Sequence, residues 1–137
     1  MILRFALMAC LVVMSQVAIA ATPDPWHAIA QQVEKIKKES SSTSRPDEAE
    51  RLADLVKQKA AHVIPESLLA EITDLLTDRD DTVRYWTAMA LGYLGPQAAS
   101  SIPALEKALK EIEKVRGSKT SASGIRFALA KIRAANK

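Results

Sequence analysis

Cysteine is almost missing from this 137-residue chain: the single copy, Cys10, lies in an apolar N-terminal segment. An intramolecular disulfide is therefore impossible, and a multi-thiolate zinc site is excluded with it. Glycine is nearly as scarce, with four residues, which leaves few of the tight turns that a many-stranded β architecture needs. Trp, Tyr, Phe and His occur twice each, so aromatic and imidazole chemistry is thin. His27 and His62 have no His, Cys or Asp neighbours at metal-ligand spacing. No Gly-rich phosphate loop, nucleophile elbow or His-Glu-x-x-His string occurs. The carboxylates Asp74, Asp78, Asp80 and Asp81 cluster, but the glycine and terminal glutamate of a calcium loop are lacking. The chain is expected to be no enzyme and to carry no cofactor or metal.

Hydrophobic residues make up 48% of the sequence, and 17 of them crowd into Met1 to Ala20. Arg4 is followed by an apolar run from Phe5 to Met14, with Ala18 and Ala20 at the −3 and −1 positions of a cleavage site. That layout is expected of a secretory signal peptide over residues 1–20, cut after Ala20 or Ala21. A ten-residue apolar run is about half of what a membrane span requires. Acylation at Cys10 would leave too short a hydrophobic region before it. Export, to the periplasm in preference to the medium, is the expected address. Residues 21–137 then form one domain with a modest core.

Beyond Pro25 the apolar positions repeat. Ile29, Val33, Ile36, Leu52 and Leu55 return after 39 residues as Leu68, Ile72, Leu75, Leu91 and Leu94. A third set, Leu105, Leu109, Ile112, Leu129 and Ile132, follows after 37 or 38. Within each set the spacing is that of a helix, a turn and a second helix. The units run over about 24–63, 64–100 and 101–137, and predict an all-α fold, a short α-solenoid of about three antiparallel helical hairpins. Pro46, Pro65 and Pro103 suit first-turn positions, Asp80 or Asp81 is expected to cap the helix starting near Thr82, and Ser44 to cap another. Gly95-Pro96 and Gly117 read as helix ends. Trp86 is expected in the core.

The central stretch, PESLLAEITDLLTDRDDTVRYWTAMALGYLGPQAASSIPAL, resembles a HEAT repeat of the HEAT-like type also found in phycobilisome lyases. The resemblance rests on Leu68-Leu69, Asp80-Asp81, Val83-Arg84, the Ala-rich run to Gly92, Gly95, and Pro103-Ala104-Leu105. The flanking units depart from it, with Ser44-Arg45 and Ser121-Ala122 where Val-Arg would stand. It implies a HEAT-like solenoid that works as a protein–protein interaction or scaffold module. Bilin attachment, the activity of those lyases, has no residues here to carry it.

Charge is uneven. Residues 21–63 are neutral, 64–102 carry four excess negative charges, and 103–137 carry six excess positive charges. An alternative function follows from the basic end, association with an anionic membrane surface; nucleic acid is not expected as a partner of an exported chain. A partner-binding face is predicted at Arg84, Tyr85, Met89, Arg126 and Phe127. Tyr85, Met89 and Phe127 point away from the apolar arcs of their helices, Met89 and Phe127 share one repeat position, and Met, aromatics and Arg are enriched in binding cores.

Overall fold

The computed structural model describes residues 24–116 and 120–134. The N-terminal segment expected to direct export, its cleavage position, and Gly117 all lie outside these residues. Among the described residues all regular structure is helical: α1 (His27–Lys38), α2 (Ser44–Lys59), α3 (Glu66–Asp74), α4 (Asp81–Leu94), α5 (Ile102–Lys114) and α6 (Thr120–Ala134). Short 3-10 segments, Leu75–Thr77 and Gly95–Ser101, follow α3 and α4.

The fifteen repeating apolar positions form the core almost without exception, and only Leu55 and Leu109 are half-buried. Helix α2 packs on α4, and α4 on α6. These three run parallel: Arg45 meets Asp78 at the start of the α2–α4 contact and Lys57 meets Tyr93 at its end. Ser121 meets Asp81 near the start of α4 and α6, while Ala128 lies against Gly92 further along. Helices α1 and α5 pack antiparallel to α2 and α6, and α3 contacts α1 and α4. Lys37 of α1 reaches Glu71 of α3 at 2.8 Å.

The repeat of 39 is visible in hydrogen bonds as well as in packing. Arg45 Nη1 donates to the Glu39 carbonyl at 2.8 Å, and Arg84 Nη1 donates to the Asp78 carbonyl at 2.6 Å. Both pairs of partners are 39 residues apart, so the turn between the two helices is built the same way twice. Arg45 also ion-pairs with the Asp78 carboxylate, Arg84 with Asp81, and Ser121 Oγ donates to Asp81. A polar ladder thus joins the three turns.

Local signals act largely as chain chemistry requires. Asp80 is the cap of α4, accepting from the Thr82 N–H at 2.8 Å and the Val83 N–H at 3.3 Å. Gly95 adopts φ +57, which favours glycine, and α4 ends there. At α2 the cap differs from expectation. Ser44 is already helical, and Ser41 Oγ accepts from the Thr43 and Ser44 N–H groups instead. Pro65 stands just before the first helical residue of α3, whereas Pro46 and Pro103 fall inside first turns. Gln97 fastens two units, donating to Ala60 and His62 carbonyls and accepting from the Ile64 N–H.

Both outer surfaces end in polar bonds between paired helices. On the α1–α2 side Gln32 and Lys35 bind Glu48 at 2.6 and 2.8 Å. The α5–α6 side carries Arg126–Glu113 at 2.9 Å and Arg133–Glu106. Half-buried Leu55 and Leu109 belong to these two outer hairpins, where, among the described residues, no further hairpin covers them.

Candidate interaction face on helices α4 and α6

Helix α4 is apolar around most of its circumference, and its neighbours divide that surface. Val83, Thr87, Ala90, Leu91 and Leu94 are buried in the core, and Ala88 and Gly92 are buried beside them. Besides the charged Asp81 and Arg84, the half-buried residues are Thr82, Tyr85, Trp86, Met89 and Tyr93. Residues 82, 86, 89 and 93 recur at four, three and four, which lines them along one side of a helix.

Two glycines set the distance between α4 and α6, and an aromatic ring covers each. A Cβ at Gly92 would stand 2.7 Å from the Phe127 ring, and a Cβ at Gly124 would stand 2.8 Å from the Tyr85 ring. Each helix therefore offers a notch to the other's aromatic. Phe127 then meets Tyr93 edge-on, with centroids 5.9 Å apart at 73°, and Tyr85 meets Trp86 at 5.0 Å and 71°. Edge-to-face geometry places the positive ring edge on the negative ring face. Lys57 Nζ lies 5.4 Å from the Tyr93 centroid and Lys131 Nζ 5.8 Å from that of Phe127, within cation–π range. Two ammonium groups accordingly bracket the Tyr93–Phe127 pair.

Of the five residues predicted from sequence, Tyr85, Met89 and Phe127 come together on this face, all half-buried. Arg84 does not border it in the same way, since its guanidinium is held by Asp81 and the Asp78 carbonyl in the turn ladder. Arg126 reaches Glu113 of α5 at 2.9 Å. Trp86, expected in the core, is only half-buried and joins the face together with Tyr93. Their half-exposure arises because α2 and α6 flank α4 without closing over it. Lys57 and Lys131 were legible only as surface charge.

Away from this face, a concavity of about 490 Å³ opens between the 3-10 turn and α5. Leu76, Ala104, Ala108 and Ile112 line it, with Arg84 and Glu111 among its polar groups. Those two are paired, Arg84 with Asp81 and Glu111 with Lys114 at 2.9 Å each. Arg84 Nε is buried and, among the described residues, without a hydrogen-bond partner, and Asp74 and Lys107 also line the concavity. Among the described residues no group of three His, Cys, Asp or Glu is placed to hold a metal ion, and no helix is long and apolar enough to cross a membrane. Comparison with known proteins finds no matching family model, and no curated protein or solved structure that matches the chain.

Proposed function

We propose that the protein is an exported HEAT-like α-solenoid that acts as a protein–protein interaction or scaffold module, and that its contact surface is the aromatic face of α4 and α6. The observation that carries this reading is the gathering of Tyr85, Trp86, Tyr93 and Phe127 around Met89 on one side, half-buried and edged by lysines. Aromatics and Met are enriched in the cores of protein interfaces, and Trp and Tyr are common among the residues that dominate binding. Parallel second helices on a fixed spacing support a HEAT-like arrangement, and short solenoids offer such rows of helices as rigid surfaces. Polar outer surfaces on α1–α2 and α5–α6 suit terminal units.

Membrane-surface association remains the alternative reading, motivated by the basic end. Its charge is partly spent within the molecule, because Lys114, Arg126 and Arg133 pair with Glu111, Glu113 and Glu106.

Chemical crosslinking in the exported fraction of cells tests the proposal, comparing the parent chain with Met89→Arg. A charge at the centre of the face is expected to abolish the crosslinked products while leaving the melting temperature within a few degrees. Products identical to those of the parent would place the contact surface elsewhere. Vesicle binding that disappears in high salt, with unchanged crosslinks, would favour the membrane reading.

A further inference from the structure

We infer that the concavity between the 3-10 turn and α5 binds a small aliphatic carboxylate, with Arg84 and Lys107 as its cations. The site lies away from the aromatic face and does not depend on it.

The internal repeat accounts for the open space. The first two units meet through charge: Lys37 of α1 bonds Glu71 of α3 at 2.8 Å, and Arg45 of α2 pairs with Asp78. The offsets of the apolar core carry these four positions into the next junction. A step of 39 takes Ile36 to Leu75, and with it Lys37 to Leu76 and Arg45 to Arg84. A step of 37 takes Ile72 to Leu109, and with it Glu71 to Ala108 and Asp78 to Val115. The backbone agrees with that match. The Val115 N–H donates to the Ile112 carbonyl at 3.1 Å, as the Asp78 N–H donates to the Leu75 carbonyl at 3.1 Å. All four successors, Leu76, Arg84, Ala108 and Val115, line the concavity.

Three of the four charges are thus exchanged for apolar groups, and the arginine survives. Arg45 meets a carboxylate from the following unit. Arg84 has Val115 in that place and pairs with Asp81 of its own helix. A ligand carboxylate would stand to Arg84 as Asp78 stands to Arg45, where a guanidinium can bind it through two parallel hydrogen bonds. Its chain would lie on Leu76, Ala108 and Ile112, gaining affinity with each carbon buried. The volume, about 490 Å³, falls within the range of small-molecule sites, about 300–1,000 Å³.

The remaining charges decide the sign of the ligand. Asp78 is held by Arg45 and Glu111 by Lys114. Among the described residues no hydrogen bond or ion pair engages the Lys107 ammonium or the Asp74 carboxylate. Lys107 therefore adds attraction for an anion, and Asp74 opposes it, so replacing Asp74 reads the charge of what binds.

Isothermal titration calorimetry of the full chain with decanoate, decanol and decylamine, below their micellar concentrations, is the test. Decanoate is expected to bind one-to-one and at least about tenfold more tightly than the other two. Val115→Asp gives Arg84 a carboxylate from the chain itself and is expected to weaken decanoate at least about tenfold. Val115→Asn, similar in shape and uncharged, should weaken it less than about threefold. Val115 is 64% exposed, so both variants should keep the parent's melting temperature within a few degrees. Asp74→Asn is expected to tighten decanoate. No saturable binding, or decanol or decylamine binding as tightly as decanoate, overturns the assignment. Equal losses in the two Val115 variants, or looser binding in Asp74→Asn, overturn it as well. Crosslinking through Met89 reads the aromatic face separately, so either site can fail without the other.

Discussion

Gly92 and Gly124 have the clearest single-residue consequences. Replacing glycine by alanine inside a helix ordinarily stabilises it by up to about 1 kcal/mol. Here the new Cβ of Gly124→Ala would lie 2.8 Å from the Tyr85 ring and 3.0 Å from the Tyr85 carbonyl oxygen. The backbone oxygen cannot swing aside as a side-chain tip can, so the clash should outweigh the helix gain. Thermal or urea unfolding of Gly124→Ala is expected to show a net loss of about 1–2 kcal/mol; a stabilised variant would contradict the packing of α4 on α6. Gly92→Ala meets the Phe127 ring at 2.7 Å and should lose less when Phe127→Ala accompanies it, a coupling that a double-mutant cycle reads directly. Glu48 gives a different kind of residue-level prediction. Hydrogen bonds from Lys35 and then Gln32 hold its carboxyl below the usual glutamate range. Its folded-state pKa being lowered, the carboxylate contributes stability that is complete above the ordinary glutamate range. That contribution is lost as pH falls through the folded value. Stability of Glu48→Gln should therefore fall less steeply than that of the parent over the same acid range.

At the scale of elements, the turns between paired helices carry the polar ladder. Arg45 is buried, and the Asp78 side chain with which it pairs is only 9% exposed. Removing one partner of a buried ion pair strands the other charge. Arg45→Ala is expected to cost about 3 kcal/mol, read as a lowered urea midpoint with an unchanged slope. A loss below about 0.5 kcal/mol, the range of exposed ion pairs, would contradict the ladder. The sequence made the helices legible because Leu, Ile and Val recur at fixed offsets, and burial of a period leaves little freedom. It left Asp80 and Asp81 undivided: both suit a helix start, and only geometry gives the capping to Asp80 and the contact with Ser121 to Asp81. The first unit looked degenerate because Ser44 stands beside Arg45. The arginine, not its neighbour, makes the bond that repeats. On the candidate face, Tyr85, Met89 and Phe127 were readable as residues off the apolar arcs. Trp86 and Tyr93 were not, since a nearly all-apolar helix does not reveal which part of its surface neighbours leave uncovered.

Across the whole molecule, the three parallel helices α2, α4 and α6 present one open surface. The outer hairpins end in cross-helix polar bonds. Without cysteine in this core, packing between units and the ladder of turns must hold the fold together. The same packing fixes the spacing of the aromatic rings, which links the fold to the function proposed for it. That surface is where a partner should be found, and other exposed positions serve as controls. A photo-crosslinking residue placed at Met89 in cells, with parallel placements at exposed Arg51 and Lys110, is the most direct measurement. A discrete adduct from position 89, absent from positions 51 and 110, is the predicted result. Adducts at 51 or 110 with none at 89 would contradict the account.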